Sequence, residues 1–296
     1  MKKTRFKVGH KPWNKGIGSV KKECKTCSKT FLVQKNRNLN NRGKFCSWYC
    51  RWGYKKEYSL NPDMAELIGV IIGDGCINKY WNSNQYRIFI SGNPIEDKDY
   101  MENYLPELIK KCIGKEIKPF MGKNGAYILQ FTGKSFCEFL FKFGIKENKS
   151  KTVRIPEEIK VNDELLKYCI KGISDTDFTI IFTKKHTNKN FYPRISAQFA
   201  SENLVRDLEF SLRKFGFTLN TKYNRGVKDR RGYNWIVNTI NLDGPNNLKK
   251  WMYHIGFSNL RILSRIMLWK LKGYLQPKSN LSERLIEIKT LTRGVV

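Results

Sequence analysis

Apolar and polar positions along the chain fall into two matching series. The first opens at Asn61, which can cap a helix, with Pro62 suited to its first turn. The apolar run Leu67-Ile68-Gly69-Val70-Ile71-Ile72 follows and stops at Gly73-Asp74-Gly75. The second opens at Asn162, and residues 165–173 carry a helix to Ser174-Asp175-Thr176-Asp177. After each helix, alternation of apolar and polar residues predicts a strand, at 87–91 and at 194–199. An amphipathic helix closing on glycine comes next, at Gly114 and Gly216. A further strand is predicted at 127–131 and at 235–242, then another helix stopped by Gly144 or Gly256. Ser91, Gly114 and Gly144 lie 17, 40 and 70 residues after Asp74; Ser196, Gly216 and Gly256 lie 19, 39 and 79 after Asp177. The shared order predicts a duplicated helix-strand-strand-helix-strand-strand-helix unit, a pseudo-symmetric pair rather than a solenoid. Between the copies, 151–163 contains Pro156, which breaks a continuous helix, and is read as a linker.

Charge changes this picture. Lys and Arg total 56 against 26 acids in 296 residues, a net charge of +30. So large an excess repels itself in a compact state and calls for a polyanionic partner, nucleic acid above all. The first 58 residues hold 17 Lys and Arg against Glu23 and Glu57 and lack a long apolar period. They divide into a basic tail, 1–20, and a cysteine-bearing module, 21–58. The two halves are then 59–150 and 164–296. The run at 67–72 is far shorter than the roughly 20 residues that span a bilayer. The basic N-terminus has no apolar h-region, so the expectation is an intracellular protein of cytoplasm, nucleoid or organelle, without a membrane partner.

The two predicted helices carry the sharpest chemistry. Gly69 and Gly73, and likewise Gly172 and Thr176, are small residues four apart on one helix face, which lets two helix backbones approach closely. Asp74 and Asp177 would then meet at the base of the pair. Two carboxylates at the negative ends of two helix dipoles are unfavourable alone, and divalent cations relieve them. A hard, oxygen-only site suits Mg²⁺, and two such ions can activate water and stabilise the leaving oxygen of a phosphodiester.

The segment Leu67-Ile68-Gly69-Val70-Ile71-Ile72-Gly73-Asp74-Gly75 resembles the LAGLIDADG motif, and Ile170-Lys171-Gly172-Ile173-Ser174-Asp175-Thr176-Asp177-Phe178 is similar to a second, poorer copy. The resemblance, to the double-motif, monomeric homing endonucleases, spans residues 60–296 in element order. It implies two pseudo-symmetric αββαββα halves whose antiparallel sheets form a saddle on the DNA major groove. It also implies catalytic metal ligands at Asp74 and Asp177, assisted by the carbonyls of Gly73 and Thr176, and a lysine at the end of the fourth strand, beside the scissile phosphate, a place that Lys134 matches. Three departures stand out. Phe178 replaces the motif glycine, Asn246 or Asp243 stands where a counterpart of Lys134 belongs, and Gly92-Asn93 and Ala200-Ser201 offer no basic pocket residue.

A second pattern is Cys24-x2-Cys27, then 18 residues, then Cys46-x3-Cys50. Two short-spaced pairs suit one tetrahedral, structural Zn²⁺. Arg37 and Arg42 alternate with aromatics around these pairs and are candidate backbone contacts. Cys76, Cys112, Cys137 and Cys169 are read as core residues. Gly9-His10-Lys11-Pro12-Trp13-Asn14-Lys15-Gly16 resembles a short modular DNA-binding segment found beside nuclease domains of mobile introns; a disordered basic tail is the other reading of Lys11, Trp13 and Lys15. Lys184 and Lys185 are placed in a hairpin turn. Lys222 to Arg231, with Lys228, Arg230 and Arg231, is read as a basic loop. Strand residues Arg87 and Arg194 complete the candidate DNA contacts, base edges being read from strands in the major groove. The expected activity is a metal-dependent double-strand break at a long, pseudo-symmetric site. The alternative is a maturase of the same fold that binds intron RNA and cleaves weakly or not at all.

Overall fold

The structure, a computed structural model, describes residues 18–35, 43–51, 57–80, 85–228, 232–276 and 278–293. It divides into two compact units, Met1–Glu57 and Tyr58–Val296. In the first, strands β1 (Ser19–Glu23) and β2 (Thr30–Gln34) form an antiparallel hairpin, and a short helix α1 (Trp48–Arg51) follows.

The second unit is α/β and internally duplicated, as the sequence pattern predicts. Helix α2 (Pro62–Ile72) leads into β3 (Gly75–Tyr80) and β4 (Gln85–Gly92). A π turn at Tyr100–Tyr104 runs into α3 (Leu105–Ile113), followed by β5 (Phe120–Met121), β6 (Tyr127–Thr132) and α4 (Lys134–Lys142). After a short helix α5 (Glu157–Lys160), the second copy runs α6 (Asp163–Asp177), β7 (Thr179–Thr183), β8 (Tyr192–Phe199), α7 (Glu202–Lys214), β9 (Asn220–Lys228), β10 (Asn234–Asp243) and α8 (Pro245–His254). Each half holds a four-stranded antiparallel sheet, ordered β3-β4-β6-β5 and β7-β8-β10-β9. Asn61 and Asn162 cap the two long helices through their side chains, Asn61 accepting from Met64 and Asn162 from Glu164 and Leu165, as their residue type favours.

Strand alternation sorts each sheet into a core face and an open face. Ile77, Ile88, Ile90, Leu129 and Phe131 are buried on the first sheet, and Ile180, Ile195, Ile240 and Leu242 on the second. Cys76, Asn78, Arg87 and Gln130 share the open face of the first. Cys76 is therefore exposed rather than core: it is one residue out of phase with buried Ile77. Cys137 and Cys169 are buried as expected, and Cys112 is partly so.

Other expectations need correction. The span read as a linker is structured. Arg154 and the Ile155 amide both donate to buried Asp207 of α7, so the crossover is tied to the second half. Lys222 and Lys228 lie on β9, paired to β10, not in a loop. Two further helices, α9 (Leu260–Lys272) and α10 (Leu281–Arg293), follow the duplicated unit. Arg284 of α10 is fully buried and donates to Glu96 of the first half at 2.6 Å and to Ser264 at 2.9 Å. A buried charge needs such partners, and here the pair fastens the C-terminal helix across the halves.

The motif departure at Phe178 is absorbed by the core. A Cβ on Gly75 would meet the backbone of Ile71 well inside 3.0 Å, so the first strand leaves its helix only through glycine. Phe178 instead adopts an extended backbone, and its buried ring packs 5.4 Å from Trp251 and 5.9 Å from Phe199. The turn after the second acid differs because the side chain fills the second half's core.

Candidate active site and metal centre

Helices α2 and α6 pack with their backbones in contact. A Cβ added to Gly69 would strike the carbonyl oxygen of Cys169, and one added to Gly172 the carbonyl oxygen of Glu66, both well inside 3.0 Å. The small residues four apart thus serve the purpose read from the sequence. Higher on the interface, buried Glu66 of α2 accepts from Lys171 of α6 at 3.0 Å and from Tyr104 at 2.6 Å, and Lys171 also donates to Tyr104. One ion pair with its remaining partners supplied is the form in which buried charge is tolerated.

The close approach brings the two acids together. A Cβ on Gly73 would meet Oδ2 of Asp177, so the Asp177 carboxylate lies against the residue preceding Asp74. Burial, then the Asp97 charge, pushes Asp74 up to about 6. Burial, then the Asp74 charge, pushes Asp177 up to about 7. Both shifts oppose ionisation, and Lys149 and Arg261 counter them only in part. Such a site favours a cation that both carboxylates can share.

The two basic groups at this site occupy equivalent places. Lys149 lies five residues after Gly144, and Arg261 five after Gly256, the glycines that close the matching helices. Lys149 Nζ donates to the Ile72 carbonyl at 2.6 Å and the Gly73 carbonyl at 3.3 Å. Arg261 Nη2 donates to the Asp175 carbonyl at 3.1 Å and the Thr176 carbonyl at 3.0 Å. Each cation therefore sits on the two carbonyls just before its half's acid. The Gly73 and Thr176 carbonyls, expected to assist a metal, are held by these side chains. Sequence reading missed both residues; counting five on from each repeated glycine would have found them.

Buried acids support this arrangement from behind. Asp97 accepts from the Asn93 amide at 2.8 Å and from Asn259 Nδ2 at 2.8 Å, and pairs with Arg261 Nε at 3.1 Å. Asp175 accepts from the backbone of Ser258 and Asn259, while burial pushes it up to about 7. A cavity of about 10 Å³, the size of one water, is lined by Asp74, Asp97, Tyr100, Asp175 and Asn259 among others. The buried Tyr100 hydroxyl finds no protein partner.

Lys134 is not brought to the acids. Gly75, next to Asp74, pairs with Ile90, whereas Thr132 pairs with Arg87, three residues earlier in β4. That is about 10 Å toward the opposite end of the sheet, and Lys134 lies beyond it. It starts α4 and pairs loosely with Glu138 at 3.9 Å. β6 runs in the same direction as β3, away from the acids, which a strand-end rule alone does not reveal.

Among the candidate DNA contacts, Arg87 stands on the open face of the first sheet, opposite Asn78 and Thr132, with its guanidinium 4.3 Å over the Tyr80 ring. Arg194 occupies the corresponding face of the second and pairs with Asp243. Lys184 and Lys185 lie in the turn between β7 and β8, where Lys185 sits 3.7 Å over Tyr192. Lys228 ends β9. Lys11, Trp13, Lys15, Arg37, Arg42, Arg230 and Arg231 lie outside the described residues.

In the first unit, the sulfurs of Cys24, Cys27, Cys46 and Cys50 all lie within 4.8 Å of one another. The contacts Cys27–Cys46, Cys46–Cys50 and Cys27–Cys50 are 3.6, 3.4 and 3.5 Å. Four sulfurs on tetrahedral bonds of about 2.3 Å would stand roughly 3.8 Å apart, so the cluster fits Zn²⁺. Although burial opposes ionisation of Cys24, backbone N–H groups of Cys46, Thr26 and Cys27 prevail and bring its thiol down to about 6. Contact with the Cys50 sulfur, then burial, pushes Cys46 up to about 12, so without metal one thiol of the cluster ionises readily and its neighbour does not; zinc takes thiolates and would draw the remaining protons off.

Among solved structures, the chain is similar to homing endonucleases, at TM-scores below 0.5. The structure of I-DmoI in complex with DNA and Mn is 18% identical with a TM-score of 0.47, covering 67% of this chain and 98% of that one. I-WcaI bound to its DNA recognition sequence is 16% identical with a TM-score of 0.45, covering 74% and 91%. Among curated proteins, all from Methanocaldococcus jannaschii, the replication factor C small subunit is 28% identical over 211 residues, 71% of this chain and 10% of that protein. An uncharacterized protein is 24% identical over 186 residues, 60% and 64%. A glutamine–fructose-6-phosphate aminotransferase is 25% identical over 231 residues, 77% and 19%. The chain thus spans less than two thirds of each of these relatives. No protein-family model matches it. Among the described residues, no helix is long and apolar enough to cross a membrane.

Proposed function

We propose that this protein is a site-specific DNA endonuclease that makes a Mg²⁺-dependent double-strand break, working as a monomer. The observation that carries this reading is the pair of buried acids, Asp74 and Asp177, at the matched ends of two helices in backbone contact. A carboxylate pair held in that state has no structural benefit of its own, and it is suited to share divalent cations. When bound, the cations supply a lowered water pKa and Lewis-acid stabilisation of the phosphodiester.

The chain's own residues do the rest. Asp74 and Asp177 hold the cations, with the Gly73 and Thr176 carbonyls becoming available as Lys149 and Arg261 turn toward phosphate. Those two cations then neutralise charge that develops in the transition state. The open sheet faces present Asn78, Arg87, Gln130, Arg194 and Ser196 to base edges, and the +30 charge supplies affinity through phosphates. The cysteine cluster holds one structural zinc, which fixes the basic first unit.

Similarity to short parts of a replication factor C small subunit and of a glutamine–fructose-6-phosphate aminotransferase, two proteins of unrelated name, fits a self-contained unit able to move between genes. A DNA substrate and a cysteine cluster suited to zinc rather than to disulfides are in keeping with action inside the cell.

Incubation with a plasmid library of randomised sites, with Mg²⁺ or EDTA, tests the reading. Linear product from a selected site, absent with EDTA, is expected. Absence of cleavage together with tight binding to structured intron RNA would establish the maturase alternative instead.

A further inference from the structure

The two equivalent cations are held very differently. Lys149 is a point charge on a flexible stem, resting on two carbonyl oxygens, and among the described residues it forms no ion pair. Arg261 is held by the Asp175 and Thr176 carbonyls, to which Nη2 donates, and by an ion pair with Asp97, whose Oδ1 lies 3.1 Å from Nε but out of line for a hydrogen bond. Asp97 belongs to the other half, in the loop after β4, and is itself fixed by the Asn93 amide and by Asn259. A guanidinium fork presents its donors in one rigid plane, so Arg261 cannot reach elsewhere without giving up these partners together. Its departure would leave Asp97 buried with two neutral donors and no counter-charge, which is disfavoured. Lys149 needs only rotation about its own side-chain bonds.

On the endonuclease reading, we propose that Asp97 is a positioning residue that ties Arg261 back, so that the two strands are cut in order. The strand served by Lys149 is cut first, and the strand served by Arg261 waits for that cation to be released. A nicked duplex is then an intermediate of the reaction rather than a side product.

The experiment uses the full-length protein and a duplex site recovered from the plasmid library, each strand labelled separately, under single turnover with Mg²⁺. One strand is expected to be cut at least tenfold faster, with nicked product rising before linear product. Asp97→Asn, which keeps the shape but removes the charge, should bring the two rates toward equality by speeding the slower cut. Arg261→Lys should act in the same direction, and Asp97→Glu should restore the order.

A readout independent of cleavage comes from nitrogen-detected NMR of the metal-free protein. The Arg261 guanidinium should be rigid by Nε relaxation in wild type and mobile in Asp97→Asn, with melting curves confirming that both are folded. Equal strand rates in wild type would overturn the proposal while leaving the endonuclease reading intact. So would a rate ratio that neither Asp97→Asn nor Arg261→Lys moves. No cleavage of any site would overturn both.

Discussion

Gly69 and Gly172 each face the backbone of the other's helix. A methyl group at either place would collide with a carbonyl oxygen, that of Cys169 in one case and that of Glu66 in the other. Backbone atoms inside a helix cannot turn aside as a side chain can, so the helices themselves would have to part. Gly69→Ala and Gly172→Ala should each cost about 3 kcal/mol or more, at the upper end of overpacking effects. Urea denaturation checks this. A loss below about 1 kcal/mol in either variant would mean that the helices approach less closely than described.

The acids should trade stability for function. Asp74 and Asp177 are pushed from 3.8 up to about 6 and about 7. A raised carboxylate binds its proton more tightly folded than unfolded. Its cost to stability is absent below about pH 4, grows as pH rises through the shifted values, and is complete above them. Asp74→Asn and Asp177→Asn should therefore abolish cleavage, leave DNA binding nearly intact, and raise the melting temperature of metal-free protein at pH 8 by several degrees. At pH 4 the gain should vanish. Mg²⁺ should stabilise wild type at pH 8 more than either variant, and Ca²⁺ should support binding without cutting. Wild-type-like cutting by a variant would remove its residue from the metal site.

How much of this was legible beforehand follows from what each signal depends on. The motif helices, their Asn caps and the order of strands rest on local periodicity, and the duplication made each half a check on the other. The small faces of Gly69 and Gly172 were legible because helical spacing alone places them. Lys149 and Arg261 were not, since nothing local connects a lysine after Gly144 to the carbonyls of Ile72 and Gly73; the chain must fold back 77 residues. Lys134 failed for a related reason. It was placed by its strand end, and whether that end lies near the acids depends on the sheet's antiparallel register. Asp97 and Arg284 were invisible because their role is to bridge the halves.

The cysteine cluster should hold one zinc per chain. Elemental analysis of purified protein checks this, and Cys24→Ser or Cys50→Ser should lose the metal and unfold the hairpin of β1 and β2. Native protein free of zinc would refute it. EDTA therefore acts at two places, and addition of Mg²⁺ after dialysis should restore cutting without restoring lost zinc.

Binding should weaken steeply with salt. If roughly 8 phosphates are neutralised, log affinity should fall against log salt with a slope near −7. A slope shallower than about −2 would show that the basic surplus is not directed at a nucleic-acid backbone.

The division of the chain at Glu57 and Tyr58 sets the last test. The first unit carries about half of the net charge and neither motif acid. Tyr58 belongs with the second, where its ring packs 5.2 Å from Phe136 and 5.5 Å from Phe139. A protein beginning at Glu57 keeps those contacts together with the Asn61 cap. It should fold and still cut, but bind more weakly and protect a shorter stretch of DNA. Phosphate contacts made by a tethered module add to affinity by raising effective concentration at flanking DNA, without touching the chemistry. Thermal melting and footprinting decide the matter. A melting temperature far below that of the full chain would make the first unit a structural support of the nuclease, and an unchanged footprint would remove it from the DNA.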